Sequence, residues 1–462
     1  MLAPGPRRRY PGEFAWKLSR DRLGTLAQLA RDYGDVTRLQ MGGRSIFLLT
    51  HPDHAHDVLV THNKDFKKGR ALEQARLLLG NGLLTSEGEQ HKRQRRLMQP
   101  AFHRQRIGAY GDTMVRFAER RAARWEDGRI FDIHAEMMAL TMTIVGKTLF
   151  DADVESEATE LGDALTTSFA AFNATFFIPF GHLLEKLPLP ITRRFRAARK
   201  RLEETIYRII ADRRALGIDT GDLLSMLLAA RDEEGDGTGM SDLQIRDEVM
   251  TLFLAGYETT ANALSWTWYL LAQHPEVEEK LHNELDVLNG EPLGADSMVR
   301  LPYTRMVLTE SMRLYPPAWA IGRRALRDYE AGGFDIPAGS LVLLSPYITH
   351  HDARWYEDPE RFDPGRWLPE RAATRPKFSY FPFGAGPRIC IGEPFAWMEG
   401  MLLLAAIARR WRLRLASAEP VELSAQITLR PKNGIPMRTE MREAVKLRPA
   451  QTSDLRPQAF SG

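Results

Sequence analysis

The sequence predicts a mainly α-helical protein with a smaller β region. Three observations predict it. Helical periodicity, amphipathic and rich in Arg and Ala, runs from about residue 89 to 217. A long, largely apolar helix is marked out between Ser241 and Gln273. Strand signals are confined to short runs at 36–39, 45–49, 321–326 and 341–345.

Each element has a local cause. Gly42-Gly43 reads as the turn of a hairpin, and Pro52 opens a short helix. Phe169, Phe172, Phe176, Phe177 and Phe180 form an aromatic patch ahead of Pro188 and Pro190. The polar DEEGDGTGM (232–240) is a loop. Ser241 caps the long helix, Gln244 completes a capping box, and Pro275 stands just beyond its end. More helix precedes Pro316-Pro317. An irregular stretch at 350–389, rich in Pro, Trp and Phe, leads to Cys390 and a last long helix from about Pro394 to Arg410. The polar tail 443–462 is expected to be mobile. With no internal repeat, residues 1–442 read as a single domain.

Composition narrows the function. The 462 residues are 44% hydrophobic and 27% charged, enough for a large core that encloses a ligand. A net charge of +3 gives no reason to expect nucleic acid. The N-terminal MLAPGPRRRYPGEF has no apolar run behind its arginines, so neither a signal peptide nor a membrane anchor is expected. With one cysteine no internal disulfide forms, which fits a reducing, cytoplasmic setting.

That cysteine lies in FPFGAGPRICIGEPFA (381–396). A thiolate can hold haem iron and favour O–O cleavage, provided it is shielded and accepts backbone N–H bonds. Gly384 and Gly386 permit positive φ and close approach to a flat ring, and Pro387 stiffens the turn. Ile391 and Gly392 can offer N–H groups, and the following helix turns its positive end to the sulfur. Phe383 can cover the sulfur, and Arg388 can meet a propionate.

A second constellation, AGYETT (255–260), falls in the middle of the long helix. Gly256 costs the helix about 1 kcal/mol relative to alanine and asks for a reason, namely space beside a cofactor. Glu258 and Thr259 put an acid and an alcohol into an apolar helix, where a local opening with a water would satisfy both. Splitting dioxygen with release of water requires two protons, and such a pair is a proton relay.

These segments resemble those of the cytochromes P450. The cysteine loop matches the family's haem-binding loop at Phe383, Gly384, Gly386, Arg388, Cys390 and Gly392, and AGYETT matches its oxygen-activation segment at Ala255, Gly256, Glu258, Thr259 and Thr260. The matches run in order from about residue 20 to 440. The resemblance implies a triangular α-rich prism holding haem b, with Cys390 on the iron. It implies propionate clamps at His91 and Arg95 of GEQHKRQRR (88–96), at Arg323 and at Arg388. Glu310 and Arg313 of ESMR (310–313) would pair with Arg361 of DPERFDPGRW (358–367) in a buried network. LYPPAW (314–319), FSYFPFG (378–384) and QITLRP (426–431) are similar to fatty-acid and carotenoid hydroxylases.

The implied activity is hydroxylation or epoxidation of an apolar substrate with dioxygen. Two electrons would come from a ferredoxin-type donor and its NAD(P)H-dependent reductase, received on a basic face that includes Arg93, Arg96, Arg104, Arg409, Arg410 and Arg412. A haem-thiolate peroxygenase or isomerase, or a non-catalytic haem sensor, is the alternative; Glu258-Thr259 favours the monooxygenase. The substrate pocket is expected along 77–84, the 169–180 patch, Ala255, Thr259, 319–321 and Ile427. The three histidines of HPDHAHD (51–57) have poor spacing for a metal and read as the start of a helix.

Overall fold

The computed structural model describes residues 1–442 except 8, 11, 42, 153, 154, 156–159, 166, 169–188, 218, 219, 233–236 and 289. The aromatic patch at 169–180 and the tail 443–462 therefore lie outside the described residues.

The axis of the molecule is the helix Asp242–Gln273. Its 32 residues at about 1.5 Å each give roughly 48 Å. The capping box is present: the Ser241 hydroxyl accepts from the Gln244 N–H, and the Gln244 side chain accepts from the Ser241 N–H. Beyond its first turns nearly every side chain is buried, as for a helix that is apolar all round. Helices Ile133–Phe150, Pro190–Leu216, Pro302–Leu314 and Glu393–Ala408 pack around it. Trp266 and Trp268 of the axis and Trp411 beyond the last helix are wholly buried.

The β region has two main parts. A five-stranded sheet orders Val36–Met41, Arg44–Leu49, Leu341–Leu344, Ile321–Ala325 and Phe66–Lys68. The pairing of Arg44–Leu49 with Leu341–Leu344 is parallel; the other pairings in this sheet are antiparallel. Strands Ile130–Asp132, Pro436–Met441 and Trp411–Leu415 form a second sheet. A hairpin of Leu423–Ala425 and Leu429–Pro431 reaches back to the axis, where Trp266 Nε1 donates to the Leu429 carbonyl at 3.1 Å. His51 caps the helix Pro52–His56 by accepting from the Asp53 N–H. Among the described residues no helix is long and apolar enough to cross a membrane.

A buried charge network ties the helix Pro302–Leu314 to the irregular stretch before the cysteine loop. Glu310 and Arg313 form two parallel bonds of 2.9 Å, and both are wholly buried. The third cation is Arg366, with its Nε 3.2 Å from Glu310, and not Arg361 as the sequence implied. The cause is the turn Pro364–Trp367, capped by Asp363, which swings Arg366 inward and brings Trp367 Nε1 within 2.9 Å of Glu310. Arg361 points its side chain outward and contributes its carbonyl oxygen to Arg313.

Arg366→Met should therefore destabilise the protein by about 3 kcal/mol, because it takes one of two cations from a buried carboxylate. Arg361→Ala should stay within about 0.5 kcal/mol of the parent. Urea midpoints of the two variants check this, and a larger loss at Arg361 would contradict the assignment.

Candidate functional site

The cysteine loop is shaped by Gly384 and Gly386, with φ of 71° and 68°. A Cβ at Gly386 would fall 2.0 Å from the Leu59 carbonyl oxygen, so the loop can close against that turn only with glycine. The Cys390 N–H donates to the Phe383 carbonyl at 3.0 Å, and the Phe383 ring leans on Trp397 at 5.8 Å. The backbone N–H groups that pull the Cys390 thiol down are those of Gly392 and Glu393, one residue on from the pair Ile391 and Gly392 that the sequence offered. The shift of one residue arises because the donors are the cap and first residue of the helix Glu393–Ala408. Burial pushes the Cys390 thiol up, and the Gly392 N–H is the largest influence pulling it back, with Arg95 assisting. The surface that Cys390 does expose faces the interior of a cavity.

That cavity has a volume of about 920 Å³, within the usual range for a cofactor with its substrate. Its walls are mostly apolar. Leu77, Leu78, Leu79, Leu84, residues 319–321 and Ile427 line it as the sequence predicts. Leu26, Leu39, Ile46 and Phe195 line it too; they come from segments that carry no motif.

Along one side cations gather. Arg323 is 8% exposed, and it donates to the neighbouring Gly322 carbonyl at 3.0 Å; it forms no ion pair among the described residues. Burial, followed by the nearby Arg388, pulls it down to about 10. Arg388 is held by Glu87 at 2.6 Å and by the Phe66 carbonyl at 3.2 Å. Arg95 donates to the Ile389 carbonyl at 2.7 Å. His91 is buried beside these groups; burial and then Lys68, Arg388, Arg95 and Arg323 pull it down to about 4, so it is neutral at pH 7. Of the four expected clamps, Arg323 and Arg388 line the cavity, while His91 and Arg95 stand behind them.

Sequence reasoning missed Lys68. Its ammonium is buried, lines the cavity and donates to the Leu83 and Ser86 carbonyls at 2.8 and 2.7 Å. Burial lowers it to about 7. Among the described residues Arg388 pairs with Glu87, which also lies near Lys68 and Arg323; Glu248, close to Lys68, is pushed by burial to about 8. Such an excess of buried positive charge asks for anions. The two propionates of haem b meet that demand, and the residues present fit the group. The signal in the sequence was slight: two adjacent lysines in a β-prone DFKKG.

On the axis helix, Ala255 and Thr259 face the cavity. The helix is not opened. The Thr259 hydroxyl donates to the Ala255 carbonyl at 2.7 Å, four residues back. Glu258 accepts from the Thr428 hydroxyl at 2.5 Å, and Asn262 donates to the same Thr428 oxygen at 3.2 Å. The acid is thus satisfied by the hairpin loop 426–428, not by its neighbour. Burial raises its pKa, against the pull of Thr428 and Arg430. Gly256 also lines the cavity, but an added Cβ would meet Val145 at 3.0 Å. Close packing on the helix Ile133–Phe150 is thus a second reason for the glycine, beside the cofactor space the sequence pointed to.

The expected basic face is largely engaged. Arg93 lies 3.1 Å from Asp232, Arg96 pairs with the same carboxylate, and Arg412 is 3.7 Å from Glu278. Arg410 remains exposed, stacked on Trp411, and the Arg104 side chain lies outside the described residues.

A cysteine at the N-terminus of a buried helix, an apolar slot beside it and cations gathered at one side define a haem-binding protein. The chain matches the Cytochrome P450 family over residues 4–436 and belongs to it. It is 43% identical over 415 residues to cyclooctatin synthase of Streptomyces melanosporofaciens, covering 89% of this chain and 90% of that one. It is 41% identical over 385 residues to cyclooctat-9-en-7-ol 5-monooxygenase of the same organism, covering 83% of each. Its fold is similar to the crystal structure of the cytochrome P450DA heme domain, with a TM-score of 0.87 at 27% identity over 96% of this chain and 98% of that one.

Lys68→Met should speed haem loss by about tenfold, the worth of one charge-assisted bond. Transfer of haem from the variant to an apo-globin measures it, and an unchanged rate would exclude Lys68 from the clamp.

Proposed function

We propose that this cytochrome P450, a haem b monooxygenase of apolar substrates, inserts oxygen into a cyclic terpenoid. The observation that carries the reading is the cavity: apolar walls, Cys390 at its base, and the hydroxyl of Thr259 facing the same space. The relatives named for cyclooctatin chemistry support a polycyclic terpenoid skeleton as the class of substrate.

When bound, haem b supplies the reductive activation of dioxygen and the transfer of one oxygen atom to carbon. The chain's own groups do the rest. Cys390 would hold the iron; the Gly392 and Glu393 N–H groups and Arg95 would stabilise its thiolate against the cost of burial. Lys68, Arg323 and Arg388, with His91 and Arg95 behind them, would hold the propionates. Burial raises the pKa of Glu258, which favours the protonated carboxyl that a relay needs. The Thr259 hydroxyl donates to the Ala255 carbonyl, which leaves its oxygen lone pairs able to accept from a donor in the cavity. The apolar lining excludes water that would compete for that position.

The electrons come from a redox partner; a ferredoxin with its NAD(P)H-dependent reductase is our reading, with exposed Arg410 near its landing place. A cytoplasmic setting agrees with the single thiol. We take residues 1–442 as one haem unit, the tail 443–462 standing apart from it.

The test is reconstitution with a ferredoxin, its reductase and NADPH, followed by product analysis on cyclic terpenes. Hydroxylated or epoxidised product is expected; turnover of fatty acids but of no terpenoid would overturn the substrate class. Cys390→His should give a haem protein that lacks both the thiolate-type carbonyl spectrum and product. Thr259→Ala should keep haem but divert more than half of the electrons consumed into hydrogen peroxide, measured as product formed per NADPH. Full coupling in that variant would remove Thr259 from oxygen activation.

A further inference from the structure

One contact between the hairpin 423–431 and the axis helix is not needed to hold the hairpin in place. Four other bonds do that. Arg22 donates to the Ala425 carbonyl at 2.6 Å, Trp319 to that of Gln426 at 2.9 Å and Trp266 to that of Leu429 at 3.1 Å, while the Leu429 N–H donates to the Pro317 carbonyl at 2.9 Å. None of them uses the Thr428 side chain. Thr428 is buried in the cavity wall, and its hydroxyl serves two residues of the axis helix. It accepts from Asn262 Nδ2 at 3.2 Å and donates to Glu258 Oε1 at 2.5 Å. Glu258 and Asn262 stand four residues apart, so one helix face presents both. The amide takes the oxygen's lone-pair side, and the hydroxyl proton is thereby aimed at the carboxyl. Glu258 also lines the cavity and forms no other hydrogen bond among the described residues.

A buried acid releases its proton readily only if the carboxylate left behind finds a donor. The Thr428 hydroxyl is such a donor, already in place and fixed in direction. We propose that Thr428 is a positioning residue of the proton relay: it holds the Glu258 carboxyl at the cavity wall and stabilises the carboxylate formed when the proton passes to oxygen in the cavity. This rests on Glu258 as the proton source, and it is independent of the class of substrate. The surroundings leave Thr428 the leading partner. Arg430 of the hairpin pulls on Glu258 less than the Thr428 bond does. Tyr257, next in the chain, is kept protonated by burial. His134, on the helix Ile133–Phe150, is pulled by burial to about 4 and is neutral at pH 7. Glu399 of the last long helix, beside Thr260, is pushed by burial to about 8. Burial raises the pKa of Glu258 and the Thr428 bond lowers it, so loss of the hydroxyl moves the titration of that carboxyl to higher pH.

The experiment uses the holoenzyme, with Thr428→Val and Thr428→Ala to remove the hydroxyl, Thr428→Ser to keep it, and Glu258→Gln as reference. Infrared difference spectra recorded against pH follow the protonated carboxyl, its band assigned by its loss in Glu258→Gln. The midpoint should rise by about one pH unit in both hydroxyl-free variants, the worth of one charge-assisted bond, and stay at the parent value in Thr428→Ser. Turnover is then followed with ferredoxin, its reductase and NADPH and no added substrate. Dioxygen ends there as hydrogen peroxide, for one NADPH, or as water, for two. The ratio of water to peroxide should fall about fivefold in Thr428→Val and Thr428→Ala and return in Thr428→Ser. Added to Glu258→Gln, Thr428→Val should lower it no further, because the two act as one unit. An unmoved midpoint, an unmoved ratio, an equal loss in Thr428→Ser or a further fall in the double variant overturns the role of Thr428 while Glu258 stands. If Glu258→Gln itself leaves the parent ratio unchanged, Glu258 is not the proton source, and this inference falls with that reading.

Discussion

A sulfur anion buried in a protein interior must be stabilised by something, and here that is the pair of backbone N–H groups at the start of the last long helix. Burial alone would keep Cys390 protonated and useless to a metal. Two oriented dipoles and one arginine oppose it, and they do so because Gly392 is a helix cap and not merely the next residue in a turn. The left-handed glycines before the cysteine, the contact of Gly386 with the Leu59 carbonyl and the bond from Cys390 to Phe383 all fix the loop so that the sulfur meets those dipoles.

The cavity is organised by two opposed electrostatic arrangements. One side is over-supplied with positive charge, which an anionic cofactor neutralises. Elsewhere in the wall, Glu258 is buried with hydroxyl and amide company and held toward its neutral form. The first suits anchoring the propionates, and the second sets a carboxyl with a raised pKa in the cavity wall. Both depend on the axis helix and the β region meeting across the cavity, since Lys68 and Arg323 come from strands and Glu258 from the helix.

Much of this was legible in the sequence. The capping box, the hairpin, the last helix and Cys390 were all visible because each is determined by a few adjacent residues. What was not legible depended on distant partners. DPERFDPGRW contains two arginines, and the choice between them is made by a turn that buries one and exposes the other. Gly256 advertised a gap, and it does line the cavity, but the valine on another helix that also crowds it was not visible. Glu258 and Thr259 are adjacent in sequence, but helical geometry points them in different directions, and the acid's partner lies in a loop 170 residues away. Lys68 escaped notice because a lysine on a short strand is ordinarily solvated. The small strands at 66–68 and 130–132 likewise owe their existence to tertiary pairing, not to any local pattern.

The parallel pairing of Arg44–Leu49 with Leu341–Leu344 has a consequence for biosynthesis. A strand completed early in translation must wait for nearly three hundred further residues before its neighbour leaves the ribosome. Until then Phe47, Leu48 and Leu49, buried in the finished protein, lack that cover. Sheet closure is a late, non-local event of the kind that slows folding and exposes sticky edges. Arg323 lies on the strand next to Leu341–Leu344, and Cys390 lies farther along the chain still. The nascent polypeptide therefore cannot grip porphyrin until synthesis is almost over, and pigment capture must follow translation as one of the last acts of maturation.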